Sequence, residues 1–241
     1  MGLAVLALLA ISGVARAQIA PNAPGVLPLT VHADAATTVT GLLDRYGAPW
    51  PAAPEHPLHF SRTPPLYYGD PLDDDARPTA TLRLVRIATG DLVLRIRWAD
   101  PTRDELGAGR AYPDTGAPHI YKTPTESTNA FADAFCAMVP VQRGPMARYP
   151  TLMMGDATTP VQLFYWRAGL GFQLLAGHGR ASTATTNTPE MGRAVHEEGG
   201  WTVTLAIPDM KPRTPISFAI WQGSKEQRDG IKYFTVWYEV Q

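Results

Sequence analysis

The chain divides itself into short segments of alternating apolar and polar residues, and that pattern restricts it to a β architecture. "TATLRLVRIA" (79–88) and "DLVLRIRWAD" (91–100) flank Thr89-Gly90, which reads as a hairpin. In the second segment Leu92, Leu94, Ile96 and Trp98 share a face, because strand side chains alternate. "FADAFCAMVPV" (131–141), "PVQLFYWRAG" (160–169), "GFQLLAG" (171–177), "GWTVTLAIP" (200–208), "ISFAIWQG" (216–223) and "IKYFTVWYEV" (231–240) continue the pattern, with Gly and Pro as punctuation. No amphipathic helix of about ten residues or more stands between them. The expectation is an all-β fold, an antiparallel β-sandwich.

With 241 residues, the chain is long enough to bury a full core as one domain. Three parts are expected. Residues 1–17, "MGLAVLALLAISGVARA", join an apolar run to Ala15-Arg16-Ala17 and have the form of a signal peptide cleaved before Gln18. Residues 18–78 are Pro-rich, with one short element around 38–46, and form an extended arm packed on the domain or on a partner. Residues 79–241 form the sandwich, in which 179–200 reads as a long polar loop. No stretch is long and apolar enough to span a bilayer.

A net charge of -1 excludes the basic excess of a nucleic-acid or anionic-membrane binder. Cys136 is the only cysteine, so stability rests on packing, and this chain alone can hold neither an iron–sulfur cluster nor a C-x-x-C-H haem. Nucleophile elbow, phosphate-binding loop and H-E-x-x-H are all missing. The six histidines are scattered, with only His56 and His59 close together, and Asp73-Asp74-Asp75 lacks the glycine and spaced glutamate of a calcium loop. No catalytic residues are expected.

Two stretches remain. In "RYPTLMMGDATTPVQLFYWRAG" (148–169) adjacent methionines precede a Gly-Asp turn and a strand with Val161, Leu163 and Tyr165 on one face and Phe164 and Trp166 on the other. Methionines there can be simple core filling. In "DGIKYFTVWYEVQ" (229–241) one strand places Lys232, Phe234, Val236, Tyr238 and Val240 on a single face. Only four of the 21 basic residues are lysines, and this one heads an apolar row. A strand-end lysine can snorkel to water. A thioether and an amine facing one apolar pocket can instead fill the two axial positions of a haem iron.

"LVLRIRWADPT", "TNAFADAFCAMVPV", "PTLMMGDATTPVQLFYWRA", "GGWTVTLAIP" and "ISFAIWQGSKEQRDGIKYFTVWYEV" together resemble a known family across about residues 60–241. It comprises the haem b-binding gamma subunits of periplasmic molybdenum enzymes of the dimethyl sulfoxide reductase class: ethylbenzene dehydrogenase, dimethylsulfide dehydrogenase, selenate reductase and chlorate reductase. The resemblance implies a sandwich akin to DOMON and carbohydrate-binding cytochrome domains. It implies one non-covalent b haem with Met/Lys axial ligation. The lysine of the family's G-x-K-x-x-x-x-W stretch falls on Lys232 and the methionine of its M-G-D turn on Met154, with Met153 as rival and Met138 as a more distant third. Lys232 could ligate only as the neutral amine, which an apolar setting from Phe234 and Val236 would favour.

With both axial positions filled, the resemblance implies a non-catalytic electron-transfer subunit. Its partners would be an iron–sulfur beta subunit and a molybdopterin alpha subunit in a heterotrimer, and its carrier a periplasmic c-type cytochrome. The competing reading is a secreted ligand- or carbohydrate-binding sandwich without haem, presenting Trp166, Trp221 and Trp237 as platforms. Parity on 131–141 sets Cys136 and Met138 together, opposite Phe135, and makes Cys136 a buried, inert thiol.

Overall fold

The computed structural model describes residues 27–34, 36–44, 50–64, 77–106, 131–179, 183–186 and 191–241. The expected signal peptide, Tyr67, Tyr68, Asp73 to Asp75 and His119 lie outside the described residues. Among those residues the Pro-rich stretch supplies β1 (Leu27–Leu29), β2 (His32–Asp34), the short helix α1 (Val39–Leu43), β3 (His56–Leu58) and β4 (Ser61–Arg62). Then follow β5 (Ala80–Ile87), β6 (Leu92–Ala99), β7 (Ala134–Pro140), β8 (Val161–Arg167) and β9 (Gly171–Gly177). The last strands are β10 (Thr183–Thr186), β11 (Gly192–Glu197), β12 (Gly200–Ile207), β13 (Pro215–Trp221), β14 (Tyr233–Phe234) and β15 (Tyr238–Val240).

The strands form two sheets of a sandwich. The larger runs β1-β15-β13-β7-β8-β9-β10, with β14 on β13 and β4 on β14; the smaller runs β11-β12-β6-β5-β2, with β3 also on β5. All pairs are antiparallel except β1 with β15 and β2 with β5. The inward faces are those the alternation implies. Leu92, Leu94, Ile96 and Trp98 meet Phe135, Phe164, Trp166 and Phe218 in one core. Its centre is aromatic, with Trp166 and Trp201 in edge contact at 4.6 Å and Trp98 6.3 Å from Phe135.

The outer faces are apolar as well. On the smaller sheet Val85, Ile87 and Val93 are covered by Leu42 and Leu43 of α1 and by Trp50, over which the Arg95 guanidinium lies at 4.3 Å. The described part of the Pro-rich stretch thus adds four short strands and, within 38–46, one helix to the two sheets.

Two other segments differ from the sequence reading. The stretch 179–200, expected as loop, carries β10 and β11. Most β11 side chains are only half-buried on an edge strand, so the segment lacks the apolar alternation that marks interior strands. The expected strand 231–240 is interrupted. After Phe234 the Thr235 hydroxyl accepts from Phe218 N at 3.0 Å, while Thr235 N donates to Phe218 O at 2.9 Å and Ser217 Oγ to Thr235 O at 3.0 Å. A side chain thus takes a rung of the ladder, and the alternation slips by one residue. Val236 turns outward, 40% exposed, Trp237 joins the outer face with Phe234, and Tyr238 and Val240 enter the core.

At one end of the sandwich lies a hub that no sequence pattern announced. Asp133, fully buried, accepts from Asp104 N (2.8 Å), Gly223 N (2.8 Å) and Trp201 Nε1 (2.9 Å). Its neighbour Asp100 is also fully buried; Asp100 Oδ1 takes Thr102, but Oδ2 has no donor. Burial, opposed by those donors, raises both carboxyls, Asp133 to about 7.

Candidate functional site

The outer face of the larger sheet carries its own apolar cluster. Parity sends Ala134, Cys136 and Met138 of β7, Val161 and Leu163 of β8, and Ala219 and Trp221 of β13 outward, and Trp237 joins them. The middle of this face is low, because Ala134, Cys136 and Ala219 are small. Aromatic side chains rise around it: Tyr165 against Trp221 edge-on at 5.5 Å, and Tyr149 against Trp237 at 6.3 Å. Cys136 is 3% exposed; burial pushes its thiol up to about 12, against the lowering pull of the nearby Lys232 charge.

Met154 reaches this face from the loop between β7 and β8. Trp237 Nε1 anchors the loop by donating to Pro150 O at 3.0 Å, and Tyr149 OH bonds Glu239 at 3.2 Å. Within it Gly155 N returns to Thr151 O at 2.9 Å. Asp156 accepts from the Thr158 and Thr159 amides and the Thr158 hydroxyl, which holds its carboxyl far below the usual range. Met154 and Gly155 are both left-handed, at φ 69° and 72°. A Cβ on Gly155 would lie 2.6 Å from Thr159 O, so this position takes only glycine; Met154 bears the conformation at a cost of about 1–2 kcal/mol. The M-G-D motif is thus a turn that throws one methionine inward. Met154 packs on the cluster, Met153 is 50% exposed, and Met138 is buried within the cluster on β7. Met153 and Met154 both stand in a turn, so it is the turn and not strand parity that separates them.

Lys232 stands at the other end. Its backbone is held by Thr63, just beyond β4, whose N–H donates to Lys232 O at 3.0 Å. Its amine donates to Asp229 O at 3.0 Å and lies 5.5 Å from the Trp221 ring centre. Because Val236 faces outward, the apolar setting comes from Phe234, Trp221 and the Cys136 floor instead. Met154 adjoins Val161 and Gly177, its carbonyl 2.9 Å from where a Gly177 Cβ would stand, while Lys232 adjoins Trp221, which pairs with Ala134. Between those two rows run Met138 with Leu163 and Cys136 with Tyr165. The Met154 backbone and the Lys232 amine therefore border one apolar face from opposite ends, with the Met154 side chain packed on that face.

Other candidates fall elsewhere. His56 is bonded to Thr30 O, and His196 to Asp100 O. Among the described residues no group of three or more His, Cys, Asp or Glu side chains could hold a metal ion, and no helix is long and apolar enough to cross a membrane. Trp166, Trp221 and Trp237 are 4%, 7% and 2% exposed, so none offers a surface platform for a sugar.

An all-β sandwich with an apolar outer face between a methionine and a lysine defines the class to which the chain is compared. No family model matches it. It is 30% identical over 171 residues, 66% of this chain and 54% of the relative, to a protein of Haloferax mediterranei named as the haem subunit of a respiratory nitrate reductase. It is 29% identical to the chlorate reductase gamma subunit of Ideonella dechloratans over 166 residues, 64% of this chain and 61% of that one. With the dimethylsulfide dehydrogenase gamma subunit of Rhodovulum sulfidophilum the identity is 25% over 205 residues, 76% and 68% of the two chains. The chain is thus similar to proteins named as haem or gamma subunits of reductase and dehydrogenase complexes. It spans little more than half the length of the first two relatives.

Proposed function

We propose that the chain is a non-catalytic electron-transfer subunit that binds one non-covalent b haem on the outer face of its larger sheet, with Met154 and Lys232 as axial ligands. The observation that supports this reading is that Met154 and Lys232 both border one apolar face, in a chain similar to proteins named as haem and gamma subunits. A methionine thioether and a lysine amine that border the same apolar face would be the donors available to an iron seated there.

The chain's residues suit such a group. Small side chains at Ala134, Cys136 and Ala219, with Tyr165, Trp221, Tyr149 and Trp237 around them, give the face the apolar, dry character such a group requires. The strained Met154 turn and the Thr63 clamp on Lys232 fix the backbone at both residues before anything binds. When bound, a haem iron supplies a one-electron couple, which thioether ligation raises in potential. The chain's own part is to hold both axial positions closed and the surroundings dry.

Within this reading the chain assembles with an iron–sulfur beta subunit and a molybdopterin alpha subunit. It relays electrons between the iron–sulfur subunit and a c-type cytochrome in the periplasm, to which residues 1–17 direct it. The relatives' names support partner subunits of a reductase or dehydrogenase complex.

The test is spectroscopic. The purified chain should show a low-spin b-type Soret spectrum. Lys232→Ala should lose the six-coordinate form and much of the haem. Met154→Ala should lose six-coordination and lower the potential of any haem retained, whereas Met153→Ala should change neither. Exchange of the two methionine phenotypes would move the ligand to Met153; an unaltered low-spin spectrum in Lys232→Ala would refute Met/Lys ligation.

A further inference from the structure

Lys232 has a long side chain with four rotatable bonds, and a ligand of that kind needs something to hold its head group. Three observations converge on one residue. Trp221 Nε1 donates to Asp229 O at 3.2 Å, and Lys232 Nζ donates to the same oxygen at 3.0 Å. The Trp221 ring centre lies 5.5 Å from that amine. Asp229 is left-handed, at φ 53°, in a turn closed by Ile231 N to Arg228 O at 2.8 Å, which aims its carbonyl at both donors.

We propose that Trp221 is the positioning residue for Lys232: its indole N–H fixes the Asp229 carbonyl that receives the amine, and its ring face floors the amine over the outer face. The inference rests on Lys232 as ligand for its bearing on haem, but the positioning itself is a property of the chain alone. Trp221 is well placed for it. It is 7% exposed, it sits at the end of β13 where the ladder fixes its backbone, and Tyr165 packs edge-on against its ring. Phenylalanine would keep the wall and the ring face but not the bond to Asp229 O. Leucine would lose both.

Two measurements test this. In the haem-free chain, the labelling rate of Lys232 by a small amine-reactive reagent, read peptide by peptide, should rise several-fold in Trp221→Phe and further in Trp221→Leu. The labelling of Lys211 on the same molecules serves as the control. In the haem-loaded chain Trp221→Leu should show a five-coordinate high-spin fraction of about half or more, with Trp221→Phe between it and the parent. Thermal midpoints of the haem-free variants show whether each remains folded. Should Trp221→Leu misfold, the Trp221→Phe labelling rate decides alone. An unchanged Lys232 labelling rate in folded Trp221→Phe overturns the proposal. A wild-type spectrum in Trp221→Leu overturns its bearing on haem. Failure of Met/Lys ligation itself would appear instead in Lys232→Ala, whose result does not touch the labelling experiment.

Discussion

Thr63 grips the backbone of Lys232 although the two lie 169 residues apart: the Thr63 amide donates to Lys232 O at 3.0 Å, and the Lys232 amide meets Thr63 Oγ1 at 3.3 Å. β4 lines up beside β14 in the same register. The Pro-rich stretch therefore helps to build the site that carries the lysine. Thr63→Val should remove the hydroxyl contact and keep the amide one, destabilising the chain by about 1 kcal/mol in urea unfolding. If haem titration and melting show a loss of stability with no loss of haem affinity, the clamp serves folding alone.

Met154 and Gly155 bear different parts of the same turn. Gly155→Ala should place a Cβ against Thr159 O and force the turn open, at a cost of more than about 1 kcal/mol and with loss of the low-spin spectrum. Met154→Gly should relieve the left-handed strain of about 1–2 kcal/mol but give up the side chain's packing on the outer cluster, so the haem-free chain should change by less than about 1 kcal/mol while the ligand is removed. Haem-free melts of both variants, run beside their spectra, separate strain from ligation.

Stability should fall as pH rises toward neutrality. Burial raises the Asp133 carboxyl to about 7 in the folded chain, above an unfolded value near 4, so the folded state binds more protons between those limits. The favourable contribution is complete below about pH 4 and is lost as pH rises through about 7. Asp133→Asn puts a side chain that cannot ionise in its place and should flatten the dependence, whatever it costs in absolute stability. Urea midpoints from pH 4.5 to 8 in both chains check it, and equal slopes would contradict the raised Asp133 carboxyl.

The Cys136 thiol, at 3% exposure and with its ionisation pushed up to about 12, should resist a bulky thiol reagent at pH 8 in the folded chain and react at once in denaturant. Rapid labelling of the native chain would show that the outer-face floor opens in solution.

The β-sandwich was legible because its cause is local. Strand side chains alternate wherever a strand runs, so "LVLRIRWA" and "AFCAMVP" declare which residues face the core before any partner strand is known. The same parity set Cys136 and Met138 apart from Phe135, and the methionine pair and Lys232 drew attention as residues out of keeping with their surroundings. What escaped were features whose cause is non-local. The slip at Thr235 depends on a hydroxyl that bonds Phe218 across the sheet, and it turned Val236 outward. The left-handed turn at Met154 depends on Thr159 and on Trp237, 83 positions beyond Met154 in the numbering. β11 is a strand only because β12 offers it a ladder. The Asp100 and Asp133 hub joins carboxylates that nothing in sequence brings together. The sequence determined the alternation and the identity of the unusual side chains; the tertiary structure decided which of them share a face, because backbone hydrogen bonds and burial between distant segments exist only once the sheets are assembled.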